Sequence, residues 1–494
     1  MSNKAVRATK VYISNCEGSC LSIDTVMTDA RRIPSTGAQV DLLVSADVLY
    51  TLTEDTPIVV NGEVAINGNT IVYSGPAKDN GFWQPKKTLS GKGKAVMPGF
   101  VNCHSHAASA LFRSQSDDGI GGQALYSVAF RSEKHISTEQ WRDLALLGVV
   151  DMIRSGITTI NDIWYEPEGL AEAAEAAGLR AQIALKLFDV KLEELYANRY
   201  ERVATEGEER LRRGVDFVEK YAASKSGLVT GRIGPHATDT CSPELHIEAC
   251  AEAGRLGVGL HTHVAQSKQE VEYCQSTYNK GPAEFLADLD VLSHRSILAH
   301  LTFASDIDLD LITQSKARYA HCPTIYPRRG VYPDLQGIQD RRIVTGIATD
   351  WMMNDPFEAM RNAMNAVRLL SGRHDALTSL DAIKLATIGS AKVMGIEDQV
   401  GSLAIGKRAD LIQLDLQRPH LQPFYAEYSS LAYYARASDV ICSVIDGRLV
   451  LEGDCILGLD EPNILNRIKK HVPDWLAVLK RHGGVGAVLG CGCG

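Results

Sequence analysis

The chain has 494 residues, of which 45% are hydrophobic and 22% are charged, and its formal net charge at pH 7 is −9. This composition is that of a globular protein, and an acidic chain without a basic stripe does not suit nucleic-acid binding, which needs clustered Lys and Arg. The N-terminal segment MSNKAVRATKVYISNC lacks a signal-peptide core, and no run of about 18 apolar residues suits a membrane span, so we expect a cytoplasmic protein without nucleic-acid or membrane partners.

The first recognisable elements are short β-rich runs between residue 41 and about residue 96. They are DLLVSADVLYTL, IVVNGEVAING and NTIVYSG, and NG and SG turn signals separate them. This pattern predicts hairpins.

From residue 97 to about residue 397 short apolar runs alternate with longer stretches of helical spacing, such as LAEAAEAAG and SPELHIEACAEAG. The predicted strands are AVMPGFVNCHSH, GITTINDIW, RAQIALKLF, VTGRIGPHA, GVGLHTHVA, SILAHLTF, ARYAHCP and RIVTGIATD. Eight strands interleaved with helices predict an α/β fold, a (β/α)₈ TIM-like barrel, whose chemistry sits at the carboxyl ends of the strands.

The β-rich character returns after residue 397, in VGSLAIGKRADLIQLDL and VICSVIDGRLVLEGD. We therefore predict that residues 1–96 and 398–494 together build a small β-sandwich domain around a catalytic barrel at 97–397. A terminal helix is predicted at 460–482, before the Gly-rich tail GGVGAVLGCGCG.

The cysteines are 11 in number and scattered. In a chain of this length they predict reduced thiols rather than a disulfide framework. The close pairs Cys16/Cys20 and Cys491/Cys493 could chelate a metal, but we interpret them as free thiols.

Histidine and aspartate mark the ends of the predicted strands. His104 and His106 are two residues apart, so both imidazoles lie on the same side of their strand, and His261 and His263 repeat the spacing. The strand-ending residues are His106, His236, His263, His300, His321 and Asp350. Imidazoles with a carboxylate suit Zn²⁺, Fe²⁺, Co²⁺ or Mn²⁺, and the sequence does not choose among them.

At this point the chain resembles a known group. PGFVNCHSH, GPHATDTCSPELH, LHTHVAQ, SILAHLTF, AHCP, ATD and, above all, GSLAIGKRADL are similar to motifs of the amidohydrolase superfamily. The similarity is greatest to the branch with triazine hydrolases, guanine deaminase and adenosyl-nucleoside deaminases, and it covers roughly residues 41 to 455.

The resemblance implies one divalent metal ion, zinc before the other candidates, held by His104, His106, His263 and Asp350. It also implies that His300 lies beside the metal-bound water, that His236 contacts the substrate, and that the protein forms homo-oligomers. A single ion is expected because VTGRIGPHA lacks the lysine that bridges two metals in binuclear members. Lys186 is either a pocket-lining cation or a charge satisfied at the barrel rim.

The implied mechanism activates water. A divalent cation lowers the pKa of a coordinated water from 15.7 toward about 7. Asp350 would accept a proton from this water and pass it to the leaving group, while His300 would stabilise the charge that develops on the attacked centre.

One position departs from the deaminase pattern. Three residues after His263 the deaminases carry a glutamate that delivers a proton to a ring nitrogen, whereas this chain has Gln266, whose amide cannot exchange protons. The amide can still hold a substrate or the water by hydrogen bonds, so we predict that Gln266 contacts the substrate. Glu270 and Glu272 are predicted to be solvated on the next helix. Either His236 or His300 takes over the proton transfer, or the substrate needs no ring protonation; we favour the second.

The loops after the last two strands also differ from the deaminases. We predict that His321, Tyr326 and Trp351 contact the substrate, and Met352 and Tyr332 could line the same apolar pocket or pack the loops. Arg328 and Arg329 could bind an anionic group or lie on the surface.

These observations predict a metal-dependent hydrolase that cleaves a C–N or C–leaving-group bond in a small amide-, urea-, carbamate- or triazine-like substrate. The alternative is an aminohydrolase that deaminates a purine, pterin or other N-heterocycle. A silent scaffold would be expected to lose metal ligands, and all four are present. No phosphate-binding GxxxxGK[ST] motif occurs.

Overall fold

The computed structural model describes residues 36–55, 57–115, 125–224 and 226–484. Both predicted cysteine pairs, Cys16/Cys20 and Cys491/Cys493, lie outside the described residues, as does most of the Gly-rich tail. Within the described ranges, no helix combines the length and the apolar composition needed to cross a lipid bilayer.

The strands fall into three groups along the chain. Numbered in chain order, they are β1 (Ala38–Tyr50), β2 (Ile58–Asn67), β3 (Thr70–Pro76), β4 (Trp83–Leu89), β5 (Lys94–Pro98), β6 (Phe100–Ser105), β7 (Ile157–Trp164), β8 (Arg180–Leu187), β9 (Val229–Pro235), β10 (His261–Val264), β11 (Ile297–His300), β12 (Arg318–His321), β13 (Thr345–Ile347), β14 (Leu411–Asp415), β15 (Val440–Ile445), β16 (Arg448–Glu452) and β17 (Cys455–Ile456).

Most of the α-helices connect or cover the central strands. They are α1 (Phe130–Glu133), α2 (Thr138–Arg154), α3 (Pro167–Ala177), α4 (Ala204–Ala222), α5 (Pro243–Leu256), α6 (Lys268–Tyr278), α7 (Pro282–Asp288), α8 (Asp306–Ser315), α9 (Ile325–Arg328), α10 (Leu335–Asp340), α11 (Pro356–Ser371), α12 (Ser379–Lys384), α13 (Ser390–Met394) and α14 (Glu461–Arg481).

The eight predicted central strands are all present as β6 to β13. They form two four-stranded parallel sheets, in the orders β6-β7-β8-β9 and β10-β11-β12-β13. Isolated parallel bridges pair Ile233 with Leu260 and Ala237 with His263 between β9 and β10, and a third pairs Ser105 with Asp350. Because the strands are parallel, their carboxyl ends lie on the same side of the sheets.

Local sequence explains why the covering helices begin and end where they do. Ser137 and Gln140 form a capping box at the start of α2, which satisfies backbone N–H groups that have no partner inside the helix. Helix α3 begins at Pro167 and ends before Gly178, whose φ of 75° is left-handed and costs glycine little. All eight residues of β7 are buried, as expected for a strand with both faces covered.

The first and last parts of the chain meet in one sheet of nine strands. Its path runs β17-β16-β15-β14-β5-β1-β2-β3, and β4 pairs with β1. Strands from both parts of the chain thus share one hydrogen-bonded sheet among the described residues, and the predicted β-sandwich is not confirmed. The terminal helix is confirmed as α14.

An ion pair made by Asp410 of the GKRADL motif links this sheet to the central strands. Arg180, the first residue of β8, donates from Nε and one terminal nitrogen to the two carboxylate oxygens of Asp410 at 3.0 and 3.1 Å. The same terminal nitrogen of Arg180 donates to Asp446 at 3.0 Å. Such a bidentate pair fixes orientation as well as distance.

Candidate active site

Four ligand atoms predicted from the sequence converge at the carboxyl ends of β6, β10 and β13. The Nε2 atoms of His106 and His263 are 3.3 Å apart. Asp350 Oδ1 lies 3.3 Å from His104 Nε2 and 3.5 Å from His106 Nε2. Potential ligand atoms of His104, His106 and His263 lie within 4.8 Å of one another, as do those of His104, His300 and Asp350.

Hydrogen bonds fix the orientation of two of these imidazoles. His106 Nδ1 lies 2.9 Å from the carbonyl oxygen of Ile163, and His263 Nδ1 lies 2.6 Å from that of His236. A carbonyl only accepts, so both Nδ1 atoms carry the proton and both Nε2 atoms are left with lone pairs. Two lone pairs facing each other at 3.3 Å repel unless a cation lies between them, so the site fits a metal ion.

His104 is oriented by a residue that the sequence analysis left without a role. Its Nδ1 lies 2.7 Å from His261 Nε2, and its own Nε2 is buried and has no hydrogen-bond partner among the described residues. The two histidines on β10 thus have different roles, since His263 faces the cation position and His261 orients the His104 ring through a hydrogen bond.

Burial keeps the ligand imidazoles uncharged. It lowers the pKa of His104 and of His263 to about 3, and it lowers the pKa of His106 well below its ordinary value, helped by the neighbouring His104. Neutral imidazoles are the form that binds metal ions. The three rings are therefore ready to bind a cation at pH 7 without releasing protons.

Left-handed backbone conformations cluster where the strands end. The φ angles are 51° at Ala265, 82° at His300, 50° at Leu301, 58° at Asp350 and 70° at Met352. Non-glycine residues adopt such angles at a cost of order 1–3 kcal/mol each, and they are concentrated at functional sites. Here they turn the chain sharply at the strand ends that carry His300 and Asp350.

A small chamber of about 30 Å³ borders these side chains. Three of the predicted substrate contacts, His236, Gln266 and Trp351, line it together with Lys186 and Arg329. Gln266 and Arg329 also line an adjoining cavity of about 420 Å³, which Tyr326 borders. The chamber has room for a water molecule and a reacting group, and the larger cavity for the rest of a small molecule.

His321 occupies a different position from the other predicted substrate contacts. It is fully buried, its Nδ1 lies 2.7 Å from Tyr319 Oη and its Nε2 lies 2.8 Å from Tyr332 Oη. Both ring nitrogens are thus engaged by tyrosines. The Tyr319 and Tyr326 hydroxyls also donate to the carbonyl oxygen of His300 at 2.9 and 3.0 Å, so this cluster supports the backbone of His300.

The prediction that Glu270 is solvated is wrong. Glu270 is fully buried in α6, and its carboxylate accepts hydrogen bonds from the Thr238 hydroxyl at 2.6 Å and from the backbone N–H of Gln266 at 2.7 Å. Burial and the nearby Asp239 raise its pKa to about 8. The helix register turns Glu270 back onto the strand end, while Glu272 is exposed as expected.

A second group of chamber residues was missed by the sequence analysis. Glu133 and Trp164 line the chamber beside Lys186, and Glu133 also borders a separate cavity of about 370 Å³. Lys186 is 2% exposed and pairs with Glu133, so the two alternatives for Lys186, a pocket-lining cation and a satisfied charge, both describe it. Glu133 lies in α1, a single helical turn with no sequence signal of its own.

Three neutral imidazoles and a carboxylate at the ends of parallel strands, beside a small chamber, define a metal-dependent hydrolase. The model of the amidohydrolase family matches residues 95–450. The chain therefore belongs to the amidohydrolase family, and it is an enzyme that hydrolyses carbon–nitrogen bonds with a metal cofactor.

Curated relatives cover almost the whole chain. A 5-methylthioadenosine/S-adenosylhomocysteine deaminase of Pelotomaculum thermopropionicum is 31% identical over 438 residues, which is 87% of this chain and 98% of the relative. A 5'-deoxyadenosine deaminase of Methanosarcina acetivorans is 29% identical over 443 residues, 88% of this chain and 99% of the relative.

Solved structures agree on the fold. An adenosine deaminase of Xanthomonas campestris with bound zinc has a TM-score of 0.81 at 23% identity and covers 90% of this chain and 99% of its own. An atrazine chlorohydrolase of Arthrobacter aurescens complexed with zinc has a TM-score of 0.76 at 20% identity, with 89% and 100% covered. These neighbours assign the chain to the TIM-like α/β barrels.

Proposed function

We propose that this enzyme is an aminohydrolase that releases ammonia from an amino-substituted N-heterocycle, with a nucleoside or a similar molecule as substrate. The observation that carries the proposal is the convergence of three imidazole Nε2 atoms and the Asp350 carboxylate beside a chamber that adjoins a cavity of about 420 Å³. The names of the curated relatives, which are nucleoside deaminases, support the choice of leaving group and substrate.

We propose one zinc ion as the cofactor, held by His104, His106, His263 and Asp350. When bound, the cation supplies Lewis acidity that makes a water molecule at this position acidic near pH 7. Side chains of the protein then transfer the protons. Asp350 accepts a proton from the attacking water and delivers it to the departing nitrogen, which leaves as ammonia.

His300 has the position to stabilise charge on the attacked centre. It lines the chamber, and burial and the neighbouring His263 and His104 hold its pKa well below the ordinary value, so it acts as a neutral imidazole. The Tyr319 and Tyr326 hydroxyls donate to its carbonyl oxygen, and Tyr326 Oη lies 3.4 Å from the ring atom His300 Nδ1.

Gln266 favours a second candidate, hydrolysis of an amide-, urea-, carbamate- or triazine-like molecule. Its Nε2 is buried and has no hydrogen-bond partner among the described residues. A neutral amide suits a substrate whose bond breaks without protonation of a ring nitrogen.

Product analysis separates the two candidates. Purified enzyme is incubated with adenosine-type nucleosides, aminotriazines, ureas and carbamates, and ammonia is measured beside alkylamines and alcohols. Ammonia from an amino-heterocycle, with the matching oxo product, supports the deaminase. Amine or alcohol release without ammonia would overturn it in favour of the second candidate.

The same proposal covers the barrel, the domain division, the cellular compartment and the oligomeric state. We propose that the two four-stranded sheets are halves of a closed barrel at 97–397, and that residues 1–96 and 398–494 form a separate domain. The seven described cysteines are free, which fits a reducing compartment such as the cytoplasm. The homo-oligomer implied by the resemblance is retained as a proposal.

A further inference from the structure

A buried lysine lies in the wall of the chamber. Lys186, near the end of β8, donates to the Tyr165 hydroxyl oxygen at 3.0 Å, and its Nζ lies 3.5 Å from Glu133 Oε2. The Tyr165 hydroxyl in turn donates to the Glu133 carboxylate. The three side chains thus form a closed triangle in which Glu133 accepts from Tyr165 and forms an ion pair with Lys186.

Three aromatic rings flank the ammonium group, which also lines the chamber. Nζ lies 4.5 Å from the centre of the Tyr165 ring, 4.7 Å from that of Phe130 and 5.5 Å from that of Trp164. Ring faces stabilise a cation but accept no proton. An ammonium has three N–H donors, and Tyr165 and Glu133 take two, so one remains for a molecule in the chamber.

Deamination of an N-heterocycle needs such a donor. When water adds to the amino-bearing carbon, the π electron pair of the adjacent C=N bond moves to the ring nitrogen, which must then gain a proton. Gln266 cannot give one, and Arg329 does not release its proton in proteins. His236 and His300 are held neutral, since burial lowers the pKa of both, and a neutral imidazole is a weak acid.

We propose that Lys186 is the catalytic acid that protonates the ring nitrogen of the substrate, and that Glu133 and Tyr165 position its ammonium group. This inference rests on the proposed deaminase function. It assigns to a lysine on β8 the proton transfer for which position 266 offers only an amide.

The protons balance over one turnover. The oxygen of water bonds to the carbon, one water proton passes through Asp350 to the amino group, and the ring nitrogen takes a proton from Lys186 Nζ. The C–N bond then breaks and ammonia leaves with the bonding pair. As the remaining hydroxyl becomes a carbonyl, its proton returns to Nζ, so that Lys186 ends the cycle as an ammonium.

The surroundings set the acidity of Lys186. Burial lowers its pKa, Glu133 raises it and Arg210 of α4 lowers it again. Tyr165 faces Nζ from the residue after β7, and His236, at the end of β9, shares the chamber wall. A lysine that must be protonated gives kcat/KM an alkaline limb, and loss of the lysine removes that limb.

The test uses a rescue that only a proton-transfer role allows. We expect Lys186→Met to lower kcat/KM for the amino-heterocycle at least about 100-fold, the range for loss of a general acid. Gln266→Glu placed in the Lys186→Met background should restore at least about tenfold of this loss, because it returns a carboxylic acid to the chamber. The double variant Glu133→Gln/Lys186→Met, which leaves no unpaired buried charge, controls for folding.

Metal content and thermal unfolding are measured for every variant. Unchanged activity in Lys186→Met, or a loss that Gln266→Glu does not relieve in folded, metal-containing protein, would overturn the role of Lys186. Wild-type enzyme that forms no ammonia from any amino-heterocycle would instead overturn the proposed function. The two failures are therefore distinguishable.

Discussion

Replacement of Asp350 by asparagine changes the charge of the site and almost nothing of its shape. Asp350 is the one carboxylate in the predicted ligand set, and its Oδ1 lies 3.3 and 3.5 Å from two imidazole Nε2 atoms. The amide keeps an oxygen for the cation but cannot take a proton from water. Loss of a general base costs 10²- to 10⁴-fold in rate, which equals about 3–5 kcal/mol of activation free energy.

We expect the folded state to tolerate this change. Asp350 is 4% exposed, and replacing a buried charge by a neutral group of the same size removes a desolvation cost. The melting temperature of the metal-free variant should therefore equal or exceed that of the metal-free wild type. The matched control is Asp439→Asn. Asp439 is a buried carboxylate that accepts from His420 at 2.8 Å and does not line the chamber, so this variant should keep full activity.

The assay is steady-state turnover with metal content measured on the same samples. Asp350→Asn with kcat/KM within tenfold of the wild type would refute the assignment of Asp350 as proton acceptor. An equal loss of activity in Asp439→Asn would show that removal of any buried carboxylate, rather than this one, disables the enzyme.

Two further predictions concern stability and are checked by urea denaturation. Burial raises the pKa of Asp162 from 3.8 to about 7. Between pH 4 and 7 the unfolded chain therefore loses a proton that the folded chain keeps, and the free energy of unfolding falls as the pH rises. Metal-free Asp162→Asn should lack this slope of about 1.4 kcal/mol per pH unit, whereas a wild type no steeper than the variant would contradict it. Asp410→Ala breaks the buried ion pair with Arg180 and should lower the free energy of unfolding by about 3–5 kcal/mol. The control Asp415→Ala breaks a partly exposed pair with Arg418 and should lower it by less than about 1 kcal/mol. Equal losses in the two variants would contradict the proposed role of the GKRADL ion pair in holding the nine-stranded sheet to the central strands.

Much of the fold could be read from local sequence. The eight central strands were recognisable because each is a short apolar run followed by a stretch of helical spacing, and parallel strands carry their chemistry at one end. Residues that end parallel strands converge whatever lies between them, which pointed to His106, His236, His263, His300, His321 and Asp350. The choice of His104, His106, His263 and Asp350 as the metal ligands came from the resemblance to the amidohydrolases. The arrangement of the β-rich segments could not, because strand pairing across more than 300 residues leaves no local pattern.

The side chains that the sequence misassigned owe their positions to tertiary contacts. Glu270 looked like a solvated helix residue, but α6 turns it onto Thr238 and the strand end after His263. His261 was indistinguishable from a ligand until its contact with His104 was seen. Glu133 meets Lys186 across about fifty residues, and only the packing of α1 against β8 brings them together.

We propose that one divalent cation lies among His104, His106, His263 and Asp350 and is required for turnover. Elemental analysis of the purified enzyme, repeated after chelation and after stepwise return of Zn²⁺ with activity followed at each step, tests it directly. We expect activity to disappear with the metal and to return in full at one equivalent per chain. Full activity in metal-free, folded enzyme, or a requirement for two equivalents, would contradict it.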